Sequence, residues 1–166
     1  MIFGQNASRY ARYKAWANQR TFADVMQLPE REVVCNRDGL FGSIVHTLNH
    51  NYVIDAIFKS HLIGQAHGYV ARNTKEPPAL ATLARLQTDI DAWWQQWAEE
   101  LTEQTANQDV NFEFVDGGNG RMTRGEILMH VVNHNNYHRG FVAEMMYQIP
   151  ATPSATDLPV FARELA

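Results

Sequence analysis

Apolar positions recur every three or four residues over four long stretches of the chain, and this period predicts four helices. The third is the clearest: Leu80, Leu83, Leu86, Ile90, Trp94, Trp97 and Leu101 fall on one stripe. The first is expected over residues 5–28, carried by Tyr10, Tyr13, Ala17, Thr21, Val25 and Leu28 and closed by Pro29. The second runs from Ser43, a good N-cap, to Leu62 or Ile63, with Gly64 as its stop. The fourth opens on Thr123-Arg124-Gly125-Glu126, where Thr and Glu can satisfy each other's orphan N–H groups, and runs to about Gln148. Between the third and fourth the period changes to two. Val110, Phe112 and Phe114 alternate with Asn111 and Glu113, Gly117-Gly118-Asn119-Gly120 turns the chain, and Arg121-Met122-Thr123 can pair back as a small hairpin. Residues 30–42 and 64–78 read as connections, and the proline-bearing tail as loop with one short helix from Leu158. The expected fold is all-α: a four-helix bundle with a small β-hairpin between the third and fourth helices. The connections are too long to require simple up-down neighbours.

A chain of 166 residues fits one domain, 1–166. The net charge of −4, with no cluster of Lys or Arg, argues against nucleic acid as a partner, because that affinity comes mainly from phosphate neutralisation. Cys35 is the single cysteine, so no internal disulfide can form, which suits a reducing, cytoplasmic setting. The N-terminus lacks the basic and apolar regions of a signal peptide. No stretch approaches the ~20 apolar residues of a membrane span, so no membrane partner is expected. Trp93 and Trp94 cannot both be buried on one helix face; one of them covers a dimer surface or packs under a loop.

The histidines carry the chemistry. All seven fall into two regions, His46, His50, His61 and His67 in one and His130, His134 and His138 in the other. His134 and His138 are four apart, so they lie one turn apart on one helix face, the spacing that helical zinc sites use. A third ligand must come from another helix. The second helix offers His50, with His46 one turn before it, among Ile44, Leu48, Val53, Ile54 and Ile57. The plainer reading of any one such histidine is a hydrogen-bonded core residue; two pairs on two helices favour a metal. His130 reads as core or second-layer support. A di-iron carboxylate site is not indicated, since such bundles use Glu-x-x-His twice and the second helix here has no glutamate.

Three segments also resemble the DinB family of damage-inducible bacterial metal-binding bundles (not the DNA polymerase of that name). Tyr13-Lys14-Ala15-Trp16-Ala17-Asn18 resembles its aromatic opening with Trp-x-Asn. Phe41-Gly42-Ser43-Ile44 followed by Thr47-Leu48-Asn49-His50 resembles its second-helix motif, and Asn133-His134-Asn135-Asn136-Tyr137-His138-Arg139-Gly140 its last-helix motif. The resemblance implies His50, His134 and His138 as ligands of one divalent ion, zinc or nickel, and gives His46 no ligand role. Tyr137 stands where many relatives carry another histidine. His46, His130 and Tyr137 remain candidates for support around the ligands. The resemblance further implies a homodimer and, in some related bundles, transferase or isomerase chemistry that uses a low-molecular-weight thiol.

Three imidazoles leave a coordination position open, the layout of a catalytic site. The expected activity is therefore metal-dependent activation of a thiol or water for attack on a small-molecule electrophile, as in a thiol transferase or hydrolase. The rivals are a metal-binding stress-response module without turnover, and an interaction protein whose histidines are core residues. Protons and metal compete for imidazole, so the metal-loaded protein is expected to lose thermal stability more steeply than the metal-free protein between about pH 7 and pH 5.

Overall fold

The computed structural model describes residues 3–164. Its elements are α1 (Phe3–Val25), α2 (Glu30–Val34), α3 (Ile44–Ile63), α4 (Leu80–Glu99), α5 (Glu103–Ala106), β1 (Asp109–Glu113), β2 (Asn119–Thr123), α6 (Arg124–Tyr147) and α7 (Leu158–Glu164). The four long helices and the hairpin are those the periodicity predicts. Capping fixes their ends. Ser43 accepts a hydrogen bond from the His46 backbone N–H at the start of α3, and Gly64 ends it in the left-handed conformation (φ 66°), sending its N–H back to the Ser60 and His61 carbonyls. Thr123 and Glu126 form the reciprocal cap of α6.

The differences lie in the connections. α1 stops at Val25, three residues before the expected end, because Leu28 precedes Pro29 and is biased out of helical geometry. Residues 26–28 tighten instead into turns, with Leu28 N–H on the Val25 carbonyl. The segment after Pro29, expected as plain connection, makes the one-turn helix α2, which buries Val33. Thr102 and Thr105 likewise cap each other around the single turn α5.

α1 packs on α4 and α6, and α3 packs on α4 and α6, so α1 and α3 stand diagonally across the bundle. The hairpin pairs Asp109 with Thr123 and Glu113 with Asn119, and it lies against α3 and α6. Phe112 is pinned there, since a Cβ on the opposite Gly120 would come within 2.3 Å of its ring. Trp94 is fully buried. Trp93 and Trp97 stack on each other near the surface and are covered by cations of the same chain, Lys59 at 4.8 Å from the Trp93 ring and the Arg124 guanidinium at 5.4 Å from the Trp97 ring.

Polar groups hold the middle of the bundle. Lys14 of α1 is fully buried and pairs with Asp55 of α3 at 2.6 Å and with Asp91 of α4. Gln87 donates to both carboxylates, at 2.9 and 3.2 Å. Asn18 donates to Asp91 and to the Asn135 side-chain oxygen, both at 3.0 Å. Asn135 of α6 donates to Asp55 at 2.9 Å, and Arg139 donates to the Asn18 oxygen at 2.9 Å. Burial would strip the proton from Lys14, but the two carboxylates outweigh it and hold the ammonium pKa above its usual value.

Removing one member of a buried ion cluster leaves the others uncompensated, at a cost of roughly 3–5 kcal/mol. Lys14→Met is therefore expected to lower the unfolding free energy by about that amount in urea titration. A loss below about 1 kcal/mol would show that the cluster is not a structural keystone.

Candidate metal centre

α3 and α6 each present a histidine to the gap between them. His50 is buried on α3; His134 and His138, one turn apart, face it from α6. Their rings meet in pairs with centroids 4.5 to 4.7 Å apart. One nitrogen from each lies within 4.8 Å of the other two. The expected trio is thus gathered at one point.

Hydrogen bonding fixes the role of His50. Its Nδ1 lies 2.6 Å from the Arg72 carbonyl, which can only accept, so Nδ1 carries the proton and Nε2 keeps its lone pair. That lone pair points at His134 Nε2, 3.0 Å away. Two such nitrogens need a shared proton or a shared cation between them. Zinc–nitrogen bonds of about 2.0–2.1 Å place tetrahedral ligands about 3.3 Å apart, so the three-nitrogen set fits a divalent ion. The backbone carbonyl behind His50 is the outer partner that orients a metal-bound imidazole. Among the described residues His134 Nδ1 and His138 Nδ1 are buried with no hydrogen-bond partner, so these two rings lack that support.

The surroundings bias the rings towards neutrality, the form that binds metal. Burial pushes His134 down to about 2, helped by the neighbouring His50, His138 and His130 rings and by the Lys14 ammonium. Burial and His50 bring His138 to about 4. His50 and His130 are also lowered, chiefly by burial.

Phe41 closes one side, stacked on the His50 ring at 4.2 Å and tilted against His138 at 5.4 Å. It is held by the turn at Gly42, which has a φ of 71° and lies where a Cβ would fall 2.2 Å from the Asn36 side-chain oxygen. Only glycine suits both conditions. Phe41 and the three histidines form one end of a cavity of about 800 Å³ that runs along α3 and α6 to the hairpin.

The remaining candidates sit apart from the trio's nitrogens. His46 bends back to the Ser43 hydroxyl at 3.0 Å, and its backbone carbonyl accepts from Asn73 at 2.9 Å. It thus helps anchor the loop that supplies the Arg72 carbonyl. His130 stacks obliquely on Phe58 at 4.5 Å, one turn before His134, and lines the cavity. Tyr137 is largely exposed at the cavity rim and meets His138 edge-on at 5.0 Å. Arg139 turns away from His138 into the buried cluster, as its position next to a ligand predicts. The sequence motifs contain Phe41 and Lys14 but assign them no role, and the Arg72 carbonyl and the pairing of Lys14 with Asp55 and Asp91 are not visible in them. The available signal was charge out of place, with Lys14 between Tyr13 and Trp16 and Asp55 between Ile54 and Ala56.

The pKa shifts revise the expected acid response. Folded His138 and His134 titrate near 4 and 2, below the 6.5 of a free imidazole. The folded state therefore holds fewer protons than the unfolded chain once the pH falls under 6.5. In the metal-free chain the stability these rings contribute is complete above pH 6.5 and is withdrawn towards about 4 and about 2. Burial already does in the metal-free chain what the ion was expected to do, so the contrast between the two forms shrinks. Three ordinary imidazoles would each weaken metal binding about thirtyfold at pH 5. Here His134 and His138 lie below that range, so zinc affinity is expected to fall less than about a hundredfold between pH 7 and pH 5 in competition titrations. A fall of about ten-thousandfold would overturn this account of the shifts.

The DinB family model matches residues 3–164. Protein DinB of Bacillus subtilis (strain 168) is 26% identical to this chain over 160 residues, which cover 90% of this chain and 89% of that protein. With a match from end to end of the described fold, this chain belongs to the DinB family.

Proposed function

We propose that this protein binds one divalent ion, zinc or nickel, through His50, His134 and His138 and is a metal-dependent enzyme that activates a thiol or water for attack on a small electrophile. The observation that carries this is an incomplete ligand set beside an open cavity. Three nitrogens converge, no acidic or sulfur group joins them among the described residues, and the free side gives onto about 800 Å³ of accessible space. A closed structural site would supply a fourth protein ligand.

A divalent ion held there supplies Lewis acidity, bringing the pKa of a bound water or thiol towards neutrality. The residues of the chain do the rest. The Arg72 carbonyl keeps the His50 proton on Nδ1 and its lone pair on the cavity side. Phe41, stacked on His50, walls this end of the cavity, and a reactant approaches the rings through the cavity. The thiol is proposed to be a low-molecular-weight cytoplasmic one, since Cys35 is exposed and does not line this cavity. We further propose that the protein acts as a homodimer.

Elemental analysis of protein purified without a tag or nickel resin is expected to find about one divalent ion per chain. His50→Ala is expected to lose most of the metal and His46→Ala to keep it, because His46 is committed to Ser43. Equal loss in both variants would overturn the ligand assignment. The metal-loaded protein is expected to accelerate conjugation of a small thiol with 1-chloro-2,4-dinitrobenzene, or hydrolysis of an activated ester, and His50→Ala to abolish it. Full metal content with neither turnover would favour the metal-binding module without catalysis.

A further inference from the structure

The cavity is far larger than an ion and its water require. About 800 Å³ is the size of a site for a drug-sized molecule. Its shape follows from helical spacing. His50, Ile54, Ile57, Phe58 and His61 share one face of α3, and His130, His134 and His138 share one face of α6. The histidine trio occupies one end of this trough. Beyond it the walls turn apolar, with Ile54, Ile57 and Phe58 from α3 and Phe112, Phe114 and Val115 from the hairpin. Phe112 cannot retreat, because it is seated on Gly120.

Charge is nearly absent from this arm. The charged residues that line it are Arg72 and Asp116, both largely exposed, and they offset each other across 3.9 Å. No unpaired cation waits for a carboxylate or phosphate. Two polar groups do face the arm, His61 and His130. Neither ring makes a hydrogen bond among the described residues; each packs on aromatic neighbours, His61 on Phe112 at 4.8 Å and His130 on Phe58 at 4.5 Å. Their ring nitrogens are therefore available to a bound molecule.

We propose that the substrate of this site is an uncharged molecule with an apolar, ring-sized body. Its reacting end lies at the three histidines, its body between Ile57, Phe58, Phe112 and Phe114, and a polar group along that body meets His130 or His61. This rests on the metal reading above and names the substrate class for it. Small dianions and sugar-like polar molecules are excluded, since the arm would desolvate them with too few partners.

The test uses the full-length, zinc-loaded protein and three hydroxamates that share one metal-binding head: acetohydroxamate, 4-phenylbutanohydroxamate and the monohydroxamate of succinate. Calorimetric titration is expected to show the phenyl compound binding about ten- to a hundredfold tighter than acetohydroxamate, the gain for burying one aromatic ring. The succinate compound is expected to bind no tighter than acetohydroxamate. Phe114→Ser, at a half-exposed hairpin residue, is expected to cut the phenyl-to-acetyl ratio by at least about threefold. Equal affinities for all three ligands, with zinc retained, would overturn the substrate class and leave the metal reading standing. Tighter binding of the succinate compound would also overturn it, in favour of an anionic substrate. Failure of the protein to hold zinc at all would sink the metal reading, and this inference with it.

Discussion

The buried pairing of Lys14 with Asp55 and Asp91 is the constraint on which the rest of this bundle depends. A lone ammonium in a bundle core would be prohibitive, as would two carboxylates without it. Together with Arg139 they balance, but only if α1, α3, α4 and α6 hold one relative rotation and register. Asn18 and Asn135 make the requirement strict. Asn135 spends both N–H bonds, on Asp55 and on the Val131 carbonyl, and its oxygen receives Asn18. Apolar contacts tolerate sliding by a fraction of a turn; a satisfied network of this kind does not. Such clusters add little net stability compared with a well-packed apolar core, so its value lies in specifying a single arrangement.

That arrangement places the histidines. Asn135 follows His134 and Arg139 follows His138, so each α6 histidine of the trio has an immediate neighbour locked into the cluster. On α3, Asp55 lies five residues after His50, on a different face of the same helix. Each of the two helices therefore has a cluster side and a cavity side, which explains why α3 is buried along thirteen of its twenty residues rather than along one stripe. The Lys14 charge also reaches His134 and disfavours its protonation. The keystone cation thus helps to position His134 and adds to the burial that keeps its ring neutral.

Much of this frame was legible in the sequence because it follows local rules. Apolar period, caps at Ser43 and Thr123, the αL stop at Gly64 and the alternation at Val110–Phe114 each act over a few residues. The α6 pair was legible for the same reason, since a spacing of four is geometry within one helix. The choice between His46 and His50 was not legible from spacing. His50 and not His46 joins the cluster because the Ser43 hydroxyl takes the His46 ring, while the Arg72 carbonyl, from a loop 22 residues away, orients His50. The ion cluster escaped for a similar reason: Lys14, Asp55 and Asp91 are 36 to 77 residues apart, and a charged residue on a helix normally marks its solvent face. The α2 and α5 turns escaped because one turn of helix leaves no period to detect.

The loop behind His50 shows how the histidine trio is coupled to the rest of the fold. The Arg72 carbonyl can serve His50 only if residues 72–75 hold their path. That path is set by Asn49, which donates to Asn73 and to the Thr74 hydroxyl at 2.7 Å, and by Asn73, which donates to the His46 carbonyl at 2.9 Å. The Asn73 side-chain oxygen in turn accepts the Thr74 N–H at 3.0 Å, a local turn that the loop sequence makes for itself. Asn49 is the residue just before the ligand on the same helix. One short stretch, His46 to His50, therefore both presents the ligand and anchors the loop that orients it. Among the described residues His134 and His138 have no such outer partner at Nδ1, so their orientation comes from packing and from the locked residues beside them. His50 is the member of the trio whose proton the fold itself assigns, and it is the fixed point against which the two rings of α6 are set.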